Sequence, residues 1–186
     1  MSRAYEIRVK RSLVHHRRVE DGIEARLELL PIAAPERTSD LLAAELAERG
    51  WEIVDGVARR SVDGVVVEVD TTTGTVALRA EEQIDESYEV ERTRRVYEER
   101  ADQTRNQLAD AADAELAARA AEREQEAQDD LAIRLEGVLT GMKAELDEVS
   151  NGVNRSALRE RAAQMGEIID VAEDPESGEM TIRVKV

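Results

Sequence analysis

The stretch "LAARAAEREQEAQDDLAIRLEGVL" (Leu116–Leu139) decides the fold. It consists mostly of Ala, Glu, Arg, Gln and Leu, which are good helix formers. It lies in a run from about Ser87 to Val149 that contains no Pro, and no Gly before Gly137. Between Ala117 and Gln128 no large apolar residue appears. Either one helix runs through, or the chain turns at "EAQDD" (Glu126–Asp130), where Asp129 or Asp130 would N-cap a returning helix. Length arithmetic favours the turn. An outgoing arm from about 90 to 127 would span ~55 Å, and a return from about 129 to 166 would match it. A continuous helix of about 60 residues would leave the C-terminal hairpin ~90 Å away, and an isolated hairpin is marginal in water. We therefore expect a long charged helical hairpin over residues 87–166.

Within that arm Leu108, Ala112, Leu116 and Ala120 repeat every four residues. Leu131, Leu135, Val138, Met142, Leu146 and Val149 form a second apolar stripe at helical spacing. The Ala-rich segment Leu108–Ala121 permits close helix contact but buries little area. An arm of this kind suits either a partner, a second copy included, or a marginal antiparallel hairpin. Leu108, Leu116, Leu131, Leu135, Val138, Met142 and Leu146 are the candidate interaction surface.

Outward from the arm, residues 1–82 read as an α+β antiparallel-sheet domain. Tyr5–Arg11 alternates apolar and charged residues, the period of a half-buried strand. Asp21-Gly22 signals a hairpin turn, followed by alternation at Ile23, Ala25, Leu27 and Leu29 up to Pro31. "APERTSDLLAAELAERG" reads as a helix with Pro35 at its first position and Gly50 just past its end. Asp55-Gly56, Asp63-Gly64 and "TTTG" (Thr71–Gly74) punctuate a meander between Trp51 and Ala80. Asn154 caps a further helical stretch closed by Gly166, and residues 167–186 form a hairpin turning at Asp174–Gly178. "EIRVKR" near the start and "TIRVKV" at the end share one strand pattern. We expect this last hairpin to return to the N-terminal sheet, with Ile182, Val184 and Val186 beside Ile7 and Val9.

Composition limits the function. The chain has 186 residues, no Cys and no Phe, one Trp and three Tyr, and a net charge of −16. Residues 1–80 hold 12 basic and 14 acidic side chains, and residues 81–186 hold 14 and 28. Such a field repels phosphate backbones, which argues against nucleic acid and anionic membranes as partners. The absence of Cys excludes disulfides, thiolate metal sites and a cysteine nucleophile. No apolar run approaches the roughly 18 residues that span a bilayer, and the charged start is unlike a signal peptide, so the expected location is the cytoplasm.

Candidate chemistry is sparse. His15-His16 would point to opposite faces of a strand and cannot share one metal unaided. A charged, exposed strand edge is the better reading. Ser12 with His15 lacks an orienting third group and an oxyanion turn. No glycine loop for phosphate is present, and the acidic clusters lack calcium-loop spacing. No catalytic residue, cofactor or metal site is therefore expected. Trp51 with Arg59 and Arg60 gives the alternative: a small-ligand pocket or enzyme site between the meander and the first helix.

Three segments carry a resemblance: "YEIRVKRSLVHH…VEDGIEARLELLPI…ERTSDLLAAELAERGWE", "DGV…VDTTTGTV" and "ALRERAAQMGEIIDVAEDPESGEMTIRVKV". Together they resemble an uncharacterised bacterial family of accessory components in ternary conflict systems built around AAA+ ATPases of the FtsH or MoxR type. The likeness spans most of the chain, but its motifs are strands and turns. It implies an ATPase-associated, non-catalytic component. The long polar helical arm and the lack of a catalytic set add the expectation of an adaptor or scaffold that docks an AAA+ ATPase, with homo-oligomerisation through the arm as a further expectation. It transfers no functional residues.

Overall fold

The computed structural model describes residues 4–97, 100–173 and 180–185. The order is β1 (Ala4–Arg26), α1 (Pro35–Glu48), β2 (Glu52–Val54), β3 (Val57–Val62), β4 (Val65–Asp70), β5 (Thr75–Tyr97), α2 (Ala101–Met165), β6 (Glu167–Glu173) and β7 (Met180–Lys185). The first five strands form one antiparallel sheet ordered β1-β5-β4-β3-β2, and β6 and β7 pair in a sheet of their own. The α+β class is as the sequence indicates.

Several details of that reading are corrected; among them, α2 runs unbroken through Asn154, which caps no separate helix. The helical hairpin is replaced by a single 65-residue helix, α2. Ala127 and Leu131 are both 0% exposed, so the buried stripe continues through the expected turn. The outgoing leg is a strand instead: β5 runs to Tyr97 and α2 starts at Ala101. Residues 81–97 extended span about 56 Å, and 101–133 as helix return about 50 Å, so the out-and-back arithmetic is met by a strand and a helix. Another correction concerns Asp21-Gly22, which makes no turn, because β1 is one 23-residue strand. A Cβ on Gly22 would lie 3.0 Å from the Leu78 carbonyl oxygen, so this glycine serves a close strand approach.

The chain divides into two compact units, Met1–Asp21 with Glu81–Ile133, and Gly22–Ala80 with Arg134–Val186. In the first, β1 and β5 form an antiparallel ribbon, shown by the cross-strand pairs Arg8–Glu91, Lys10–Glu89 and Arg18–Glu81. Alternate residues face the helical segment: Val90, Ala112 and Leu116 are buried, with Leu13 and Tyr88 packed on them.

In the second unit the meander is as read. Asp55 and Gly56 (φ 49° and 79°) and Asp63 and Gly64 (φ 49° and 77°) take the doubly positive φ of two-residue hairpin turns. Val65, Val67, Val69, Val76 and Leu78 line one buried face, at most 1% exposed. Leu42 and Leu46, one turn apart on α1, are fully buried. Thr71 ties the layers together. It donates to the Gly56 carbonyl (2.8 Å) and so accepts from the Ser39 hydroxyl of α1 (3.0 Å).

Among the described residues the C-terminal hairpin pairs only with itself and does not extend the five-stranded sheet. Gly166 fits the end of α2 because the Lys185 carbonyl and Val184 Cγ1 (2.9 Å) fill the space of a Cβ. The expected turn at Asp174–Gly178, and Val186, lie outside the described residues.

Candidate interaction sites

The seven residues picked as an interaction surface are all buried. Leu131 and Leu135 are 0% exposed, Leu116 3%, Met142 4%, and Leu108, Val138 and Leu146 7% each. The stripe is taken up by the chain's own packing.

Trp51 does not line the expected pocket. Its side chain is buried, and its Nε1 donates to Glu145 Oε1 at 3.1 Å. The Arg60 guanidinium lies 5.2 Å from the ring centroid and donates to both Glu145 oxygens at 2.9 Å. Arg59 points to the other side of β3, where it pairs with Glu68. Trp51, Arg60 and Glu145 therefore form a closed polar cluster that fastens β3 and the loop after α1 to α2.

A cleft of the second unit lies elsewhere. It has a volume of about 950 Å³ and lies between the end of β1 with residues 27–30 and one face of α2. Leu27, Val76, Leu139 and Leu146 give it an apolar floor, and Leu30 is 54% exposed at its lip. Thr140, Lys143, Asp147, Asn151 and Asn154 follow one another at helical spacing along the wall. Asn154 is already used: its Oδ1 accepts from the Leu30 N–H (2.9 Å) and its Nδ2 donates to the Glu28 carbonyl (3.3 Å). These two bonds fasten residues 28–30 to α2. Sequence reasoning placed Asn154 as a helix cap and missed this role. The signal that could have found it is the polar 140–154 face behind the Leu stripe.

In the first unit several charges on the ribbon face toward α2 meet opposite charges on the helix. Arg11 reaches Asp113 (3.3 Å), Arg92 reaches Glu115 (2.5 Å), and Arg123 reaches Glu82 (2.7 Å) and Glu86 (3.0 Å). His15 sits 3.2 Å from Glu124 and beside the Tyr88 ring. His16 faces the opposite way and meets Asp85 (2.5 Å). The two histidines thus occupy opposite faces, as the strand reading requires.

Four carboxyls are held below the usual carboxylate range. The Tyr88 hydroxyl and then Arg123 lower Glu86, and Arg92 with Arg119 lowers Glu115. Arg37 lowers Glu160. Burial pushes Asp70 up, but the N–H groups of Thr72 (2.8 Å) and Thr73 (3.2 Å) outweigh it. A carboxyl lowered on folding contributes stability above its unfolded pKa of about 4, and that contribution is lost as pH falls through the lowered value. In about 0.2 M salt, which screens the net charge, the thermal midpoint should hold from about pH 7 to 5 and fall below about pH 4. A midpoint that rises through pH 3 would contradict this account.

Among the described residues no group of three or more His, Cys, Asp or Glu is placed to hold a metal, and no helix is long and apolar enough to cross a membrane. The sequence matches, over residues 1–186, the profile of a family described as FtsH ternary system domain X5. No curated protein and no solved structure matches it.

Proposed function

Because the chain belongs to the FtsH ternary system domain X5 family, we propose that it is a non-catalytic adaptor, an accessory subunit that docks an AAA+ ATPase-linked partner in a bacterial conflict system. The open cleft of the second unit carries this reading. Its apolar floor, the exposed Leu30 and the mixed charges of Arg26, Glu28, Lys143 and Asp147 suit a protein segment with an apolar face and polar flanks. The buried Trp51 cluster gives no support to a ligand pocket at that tryptophan.

The test is co-expression with the FtsH-type ATPase of the same system, followed by size-exclusion chromatography at low salt. The two chains should co-elute. Leu30→Asp combined with Lys143→Glu should weaken co-elution about tenfold, equal to about 1.4 kcal/mol, and leave the circular dichroism spectrum unchanged. A chain that elutes alone, or a complex indifferent to both changes, would overturn the proposal.

A further inference from the structure

β1 is the outermost strand of its sheet, and among the described residues no strand pairs with its outer edge. Along the ribbon its solvent-side residues Glu6, Arg8, Lys10, Ser12, Val14, His16 and Arg18 are exposed, Val14 by 63%. Such an edge is a template for another strand. Its centre, Ser12–His16, contains no Asp, Glu, Lys or Arg, whereas Lys10 and Arg11 precede it and Arg17 and Arg18 follow.

We propose that a second copy of the chain pairs antiparallel on this edge, β1 against β1, about a two-fold axis at Ser12. The charges select both the occupant and the register. With the axis at Ser12, Glu6 lies opposite Arg18 at both ends, Lys10 opposite Val14, Arg8 opposite His16, and Ser12 opposite itself. Moving the axis to Leu13 places Glu6 against Glu20 and Arg8 against Arg18. At Val14, Arg8 meets Glu20, but Lys10 meets Arg18. At Arg11 no acidic residue faces Arg or Lys. Opposite charges across a strand pair are favourable and like charges unfavourable. Of these four registers, only the Ser12 one has opposite-charge pairs and no like-charge pair. On the helix side it sets Ile7 against Arg17, Val9 against His15, and Arg11 against Leu13, again with no like pair. Isologous two-fold pairing is the commonest symmetry of soluble oligomers, and here it covers the longest open edge of the sheet. The inference is independent of the cleft and of the adaptor reading.

Sedimentation of the full chain from about 1 to 100 µM tests it, with hydrogen exchange at both limits. A monomer–dimer equilibrium is expected, with concentration-dependent amide protection in β1 between residues 6 and 18. Glu6→Arg sets an arginine against Arg18 of the other copy and should raise the dissociation constant about tenfold (about 1.4 kcal/mol). Glu6→Arg with Arg18→Glu re-forms the cross-copy pair and should restore the dimer. A wild-type chain that stays monomeric overturns the proposal. So does a dimer without β1 protection, a dimer that ignores Glu6→Arg, or a double swap that fails to recover it.

Discussion

Leu46→Ala should lower the stability of the second unit by about 2–5 kcal/mol. Leu46 is 0% exposed, so the substitution removes three carbons from a filled site. The cost of such a deletion depends on how far the surroundings collapse into the cavity, and collapse is resisted here on two sides. The Leu46 carbonyl accepts the N–H groups of Arg49 and Trp51, each at 3.1 Å, which fixes the backbone at the end of α1. Beneath α1, the sheet valines are themselves fully buried. Urea unfolding followed by tryptophan fluorescence reads this unit directly, because Trp51 is the chain's single tryptophan. The midpoint should fall with little change in slope. Glu48→Ala, exposed on the opposite side of α1, should shift stability by no more than about 0.5 kcal/mol. Equal effects from the two substitutions would mean that α1 does not pack through its Leu42–Leu46 stripe.

The legible parts of the fold are those where local signals agree. Pro35 and Gly50 bracket α1, and Asp-Gly pairs make the two hairpin turns of the meander. Residues 87–97 read as helical because Glu and Arg dominate and no Gly or Pro interrupts. Ile84 and Tyr88 are spaced four apart, which suits a helix or a strand alike. Val90 and Val96, also at even positions, are the local signs of period two. Long-range pairing settles the matter: Glu82, Glu86 and Arg92 face inward on a strand because Arg123 and Glu115 on α2 meet them. No window of sequence contains both halves of those pairs. The continuity of α2 was hidden in another way. Counting only large apolar residues breaks the stripe after Leu116, whereas Ala120 and Ala127, 7% and 0% exposed, carry it across. The cleft was illegible because its two walls are residues 25–30 and 139–154, joined only by the tertiary fold.

Glu145→Ala is the second large effect, with an expected loss of about 1–3 kcal/mol. Glu145 accepts three hydrogen bonds, one from Trp51 Nε1 and two from Arg60. Removing it leaves the buried indole N–H without this acceptor and strips Arg60 of its carboxylate. An orphaned buried donor costs more than a hydrogen bond contributes on average, because its lost hydration is no longer offset. Arg60 and Glu145 are each about one-third exposed (32% and 27%), so solvent reaches the ion pair and its own share is small. The indole therefore dominates. This separates two substitutions: Arg60→Met keeps the Trp51–Glu145 bond and should cost less than Glu145→Ala. Trp51 emission should shift to longer wavelength in Glu145→Ala, where water gains access to the ring, and stay near its original position in Arg60→Met. If Arg60→Met proved the more damaging, the stacking of the guanidinium on the ring, 5.2 Å from its centroid, would be the stronger fastening of α2 to the sheet.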